Sequence, residues 1–131
     1  MASDYENAAL RHYADAEHLA KSGRYDNAGH LIGFAAECAL KKAARPFFRS
    51  DQCEIDGHLP NELKGKVRRE LQGRAATGRL LGLVHPNSSF FSDWHINDRY
   101  SADGHVKAES YGKWLQQTRD IFSIARVRLQ P

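Results

Sequence analysis

The sequence is poor in cysteine, proline and methionine, and it has no long apolar run. Only Cys38 and Cys53 occur among 131 residues, which excludes a disulfide framework, and neither lies in a CxxC pair or at metal-ligand spacing. No stretch approaches the roughly 20 consecutive apolar residues of a membrane-spanning helix. The opening residues Met1 to Glu6 carry neither a basic nor an apolar leader region; the expectation is a cytoplasmic protein without a membrane partner. Also missing are GxSxG, HExxH, the Walker A loop and GxGxxG, and with them most of the common hydrolase, protease, nucleotidase and dehydrogenase designs. Seven histidines are present, yet no pair on a predicted helix has the i, i+4 spacing that would grip a metal, and His85, His95 and His105 fall in predicted loops. No metal and no cofactor is expected.

What is there is ordinary globular composition, 41% hydrophobic and 27% charged, with a formal net charge of +3. The length suits one domain. The charge is unevenly spread. Between Leu63 and Arg79, six cations (Lys64, Lys66, Arg68, Arg69, Arg74, Arg79) face one acid, Glu70. Such a stripe is either a solvated helix face or a surface for phosphates or an acidic protein.

Periodicity predicts helices throughout and no strand. Ser3 and Glu6 have capping-box spacing, and Ala9, Tyr13, Ala16 and Ala20 recur on one face as far as a stop at Ser22-Gly23. A second helix is predicted from near Asp26 to Ala44, ended by Arg45-Pro46. It carries the stripe Ala28, Ile32, Ala35, Ala39 and the small residues Gly29, Gly33 and Ala36 that let neighbours come close, so it is expected to be the most buried. A polar, partly acidic connection follows from Phe47 to Gly57, including Asp51, Glu54 and Asp56. Pro60 suits a first turn. Leu63, Val67 and Leu71 then continue to Leu80 through Val84 as an element broken near Gly73 and Gly78. From Asn87 to Gly104 the spacing is irregular, but Phe90, Phe91, Trp94 and Tyr100 predict an ordered loop packed on the bundle. The last helix, between about Val106 and Leu129, shows Ala108, Tyr111, Leu115, Thr118, Phe122, Ala125 and Leu129 in one seam and is expected to be the longest.

Glu37 and Lys41 stand four apart on the most apolar helix. A carboxylate there needs a partner. The expected arrangement is an ion pair with Lys41, supplemented by an arginine from the Trp94 to Tyr100 loop, against a functional alternative in which Glu37 faces a cleft.

The run from Gly23 to Lys41, GRYDNAGHLIGFAAECALK, resembles the signature of HEPN domains (higher eukaryotes and prokaryotes nucleotide-binding). There a Gly-Arg-Tyr turn leads into an apolar helix ending Glu-Cys-Ala-Leu-Lys. Gly57-His58-Leu59 is similar to the family's Gly-His-Asp-Leu opening of the third helix, although Leu59-Pro60 departs from it and no residue stands in for the acid. Trp94 and Arg99-Tyr100 resemble the Trp and Arg-Tyr before the last helix. The resemblance covers most of the chain in the same order. It implies an all-α bundle of four or five helices, commonly a homodimer, found in toxin–antitoxin and other conflict systems and beside nucleotidyltransferase partners. The implied binding residues are Glu37, Lys41, Trp94, Arg99 and Tyr100.

The family's RNA-cleaving branch uses an Arg with a His a short interval later, and Arg99 with His105 meets that count. So do other Arg/His pairs here, and Ser101 to Gly104 between the two has turn composition rather than that of a helix start. Arg99-Tyr100 also matches the non-catalytic Arg-Tyr form. The resemblance therefore implies a non-catalytic binding or neutralising protein for a partner protein, nucleotide or RNA, with a metal-independent RNase using Arg99 and His105 as the alternative.

Overall fold

The computed structural model describes residues 4–49, 54–74 and 78–129. Five α-helices occur among these residues: α1 (Tyr5–Lys21), α2 (Tyr25–Ala44), α3 (Asn61–Leu71), α4 (Gly78–Val84) and α5 (Ala108–Ala125), with 3-10 turns at Arg45–Phe47 and Ile96–Tyr100. The fold is all-α, and no strand occurs among the described residues.

Helix α1 begins one residue later than the capping-box spacing predicts. Asp4, not Ser3, caps it: the Asp4 carboxylate accepts 3.0 Å from the Asn7 amide, using a stronger, charged acceptor for an otherwise orphaned donor. Ser3 lies outside the described residues. The helix ends as expected at Ser22, with Gly23 at φ +75°, a left-handed turn that glycine takes without a Cβ clash.

Helix α2 packs against α1 most extensively and against α5 next. Half of its residues are buried, among them Ala28, Gly29, Ile32, Gly33 and Ala36. Small side chains explain that double contact. A Cβ on Gly29 would lie 2.9 Å from the Trp114 ring, so α5 could not approach as closely over a larger residue.

At 20 residues α2, not the C-terminal helix, is the longest element; α5 has 18. The apolar seam extends to Leu129, but the helix stops at Arg126, which is left-handed at φ 59°. The Val127 amide then bonds back to the Phe122 carbonyl at 2.9 Å, a helix-ending turn. It drives Val127 into the core at 5% exposure and leaves Leu129 outside at 41%.

The basic element is broken where the glycines fall, into α3 and α4. The loop after α4 is ordered: Phe90, Phe91 and Trp94 are buried in the main core. Phe91 takes φ +50°, and its amide donates to Gln117 Oε1 at 3.0 Å. Tyr100 departs from the expected packing. It is 74% exposed, because the Ile96–Tyr100 turn ends on the surface.

Candidate functional site

His30, Phe34 and Glu37 follow one another at spacings of four and three along α2, so they share a face. The chain lays two segments over it: Gly57 to Leu59, and Trp94 with the turn that follows. The Glu37 carboxylate is buried, accepting 2.8 Å from the Leu59 amide and 3.2 Å from His58 Nδ1. Burial pushes its pKa up, and the two hydrogen bonds, the His58 charge and the field of Lys41 pull it partly back. Among the described residues the expected Glu37–Lys41 ion pair is therefore replaced, and no arginine reaches the carboxylate. A backbone amide just ahead of α3 and a nearby imidazole reach the buried oxygens without forcing a long cation into the core. Glu37 thus pins the start of α3 to α2.

Around Phe34 the rings converge. His30 lies 4.5 Å from it centre to centre, His12 of α1 5.7 Å, Trp94 6.2 Å and His58 6.5 Å, while His30 stacks on Trp94 at 6.2 Å. Burial lowers the pKa of His30 and of His12; the Arg99 charge lowers His30 further, and the Arg11 charge His12. Both imidazoles are accordingly neutral near pH 7. The Nδ1 atom of His30 is buried and has no hydrogen-bond partner among the described residues. Its neighbours are arranged for ring packing and leave that nitrogen a polar group still to be satisfied.

Arg99 acts on this cluster through its charge and sits over the Tyr100 ring, 4.8 Å from the centroid. Both side chains are exposed, so the pair is a cation-covered aromatic platform at the rim. Trp94 is a different kind of residue: fully buried, with Nε1 donating 2.8 Å to the Gly29 carbonyl, it supports the face from behind. His105, the other member of the Arg99/His105 pair, has its Nε2 3.4 Å from Asp98 Oδ1. Arg99 and His105 thus each face a partner other than the other. Between the two overlying segments, His58 and Ile96 line a groove of about 280 Å³.

The basic stripe is mostly used up inside the molecule. Lys64 is buried, donating to the Ser88 carbonyl at 3.3 Å and lying over the Phe90 ring. Burial lowers its pKa. Lys66 donates to the Asp56 carbonyl at 3.0 Å and Arg68 to the Val84 carbonyl at 2.8 Å. Arg74 donates to the Glu70 carbonyl at 2.8 Å and covers Phe47. Arg68 and Arg74 thereby satisfy carbonyls in the last turns of α4 and α3 that helix geometry leaves open, while Lys64 and Lys66 tie α3 to loop carbonyls. Arg69 and Arg79 are exposed. Four of the six cations of the stripe therefore tie to backbone carbonyls within the molecule. Of the acidic connection, Asp51 lies outside the described residues, while Glu54 and Asp56 are exposed.

His12, His30 and His58 escape a sequence reading, because only the α1–α2 contact and the fold-back before α3 bring them together. The one local signal is His30 and Phe34 at i, i+4. Asp26 is a second residue of this kind: its carboxylate accepts 2.8 Å from both the Gly104 and the Val106 amides, fastening the start of α2 to the approach to α5. Compared with known proteins, the chain matches no family model, no curated protein and no solved structure.

Proposed function

We propose that the protein is a non-catalytic, HEPN-like binding module that holds a nucleotide or single-stranded RNA on the face made by His12, His30, Phe34, His58, Arg99 and Tyr100. The observation that carries the reading is the exposed Arg99-over-Tyr100 pair, whose charge reaches the half-buried His30 ring. An exposed ring covered by a guanidinium offers a base a stacking surface and a phosphate a charge in one place, and stacking of this kind tolerates any base.

The resemblance supplies the setting: one component of a toxin–antitoxin or toxin–immunity module, with a toxin or a nucleotidyltransferase as protein partner. The alternative is RNA cleavage by Arg99 and His105, which needs both side chains on one phosphate; here Arg99 lies over Tyr100 and His105 beside Asp98. Incubation with total RNA and with tRNA separates the two. The binding reading expects intact RNA with the parent protein; cleavage lost in folded Arg99→Ala and His105→Ala versions establishes the nuclease.

A further inference from the structure

Where α2 and α5 both end, the structure holds an open cavity of about 510 Å³ that shares no lining residue with the face around His30. Half-buried Phe47 and Ile124, with buried Leu80, form its apolar wall. Arg79 from the first turn of α4, Arg126 where α5 closes, and Ser123 complete the lining on the polar side. Both arginines are exposed, and neither side chain makes a hydrogen bond or ion pair with a described residue. The other cations of this corner are engaged. Lys42 bonds Glu6 and the Arg126 carbonyl, and Arg74 bonds the Glu70 carbonyl and lies over the Phe47 ring. Among the described residues no carboxylate lines the cavity.

We propose that this cavity binds a small organic acid, its carboxylate held by Arg79 and Arg126 and its apolar body laid on Phe47, Leu80 and Ile124. Two unpaired cations brought to one cavity from distant parts of the chain repel each other, and an anion between them turns that repulsion into attraction. The planar donor fork of a guanidinium matches the two oxygens of a carboxylate. A phosphate would accept the same donors, but the last turns of α2 and α5 also reach this cavity, and each helix end carries a partial negative charge of about half a unit. A carboxylate with one charge meets that field at less cost than a phosphate ester with two. The apolar wall selects for a body as well as a head, because a bare hydrated anion leaves Phe47, Leu80 and Ile124 uncovered. Arg74 holds the Phe47 ring from 5.7 Å, so the wall is in place before the ligand arrives. This site is independent of the face proposed for RNA.

Proton–nitrogen correlation NMR of the full chain, titrated with phenylacetate to about 10 mM at neutral pH, reads affinity and place together, since that range covers millimolar dissociation constants. The parent is expected to saturate, with the largest shifts at the amides of Leu80, Ser123, Ile124 and Arg126 and none around His30 and Tyr100. Phenylacetamide, which has the same body without the charge, is expected not to saturate. Arg79→Ala and Arg126→Gly should each weaken phenylacetate binding by about tenfold, the loss of one charge-assisted contact. Glycine takes the left-handed position of Arg126 without strain, and the spectra show directly that each variant is folded. Phenyl phosphate is expected to bind no more tightly than phenylacetate. A parent that does not saturate overturns the proposal, as does phenylacetamide binding as well as the acid, or undiminished binding by Arg79→Ala and Arg126→Gly. Tighter binding of phenyl phosphate overturns the assignment to a carboxylate and gives the cavity to phosphate esters.

Discussion

The Trp94 indole occupies the space that a side chain on Gly33 would need: a Cβ there would lie 2.1 Å from Trp94 Cε2, while Trp94 Nε1 donates to the Gly29 carbonyl one turn earlier on α2. Two glycines on one helix thus receive one tryptophan, the first by its carbonyl and the second by its missing side chain. This contact fixes the loop from Asn87 to Gly104 on the bundle and with it the position of the Arg99–Tyr100 pair.

Gly33→Ala is therefore expected to destabilise the protein. Alanine gains about 1 kcal/mol of helix propensity, but a methyl driven into a buried indole costs several times that unless the loop moves, so the net loss is about 2 kcal/mol. Thermal unfolding by circular dichroism, with Trp fluorescence reporting the loop, checks both outcomes. A melting temperature equal to or above the parent's, with unchanged fluorescence, contradicts the packing.

Glu37 and Asp26 should give opposite pH signatures. Burial raises the Glu37 pKa above its ordinary 4.5, so the folded state binds more protons than the unfolded one between 4.5 and that raised value. Its contribution then falls as pH rises through this window. Glu37→Gln keeps an acceptor for the Leu59 amide and removes the ionisation; the parent's stability relative to Glu37→Gln is expected to decline with rising pH across the window and then level off. Glu37→Ala strands the Leu59 amide and should cost about 1–3 kcal/mol. Urea unfolding at a series of pH values measures both.

At Asp26 the backbone donors Val106 and Gly104 lower the pKa below its usual 3.8. Its stabilisation is present above pH 3.8 and is lost as pH falls through the folded value. Asp26→Ala is expected to cost about 1–2 kcal/mol near neutrality, since the carboxylate is partly solvated and its bonds are discounted accordingly. It should also flatten the acid limb of the stability curve. An acid limb as steep as the parent's would show that the carboxylate does not clamp the two segments.

Within the basic segment the cations should divide by what they hold. Lys64→Ala and Arg68→Ala each remove a tie to a carbonyl beyond α3 and should lower the melting temperature, by about 1–2 kcal/mol of stability each. Arg69→Ala and Arg79→Ala change exposed side chains and should stay within about 0.5 kcal/mol of the parent. The reverse ranking would restore the stripe as a solvated binding face.

Helix number, type and most boundaries were legible because apolar residues recur at helical spacing and the stops are local: Gly23 past α1, Pro46 past α2, glycines between α3 and α4. The end of α5 was not, because Arg126 and Val127 break a seam that the sequence alone would continue to Leu129. Trp94 and Glu37 could be singled out as residues that need partners. Their partners could not, since the Gly29 carbonyl and the Leu59 amide are backbone groups that no side-chain pattern marks. The histidine cluster is likewise a product of tertiary packing: His12, His30 and His58 come from three separate segments and share only Phe34.

Fluorescence anisotropy of a labelled single-stranded RNA oligonucleotide, titrated with the protein, tests the central claim most directly. The parent is expected to bind without shortening the RNA, and more tightly as the pH falls and His12 and His30 take up protons. Tyr100→Ala and Arg99→Ala, at exposed positions that leave the fold intact by circular dichroism, should each weaken binding by about tenfold, the loss of one stacked base or one phosphate contact. His30→Ala should weaken it as well, while Arg69→Ala and Arg79→Ala should not. Binding that survives Tyr100→Ala and Arg99→Ala but collapses with Arg69→Ala and Arg79→Ala, or RNA that is cut during the titration, would contradict the account.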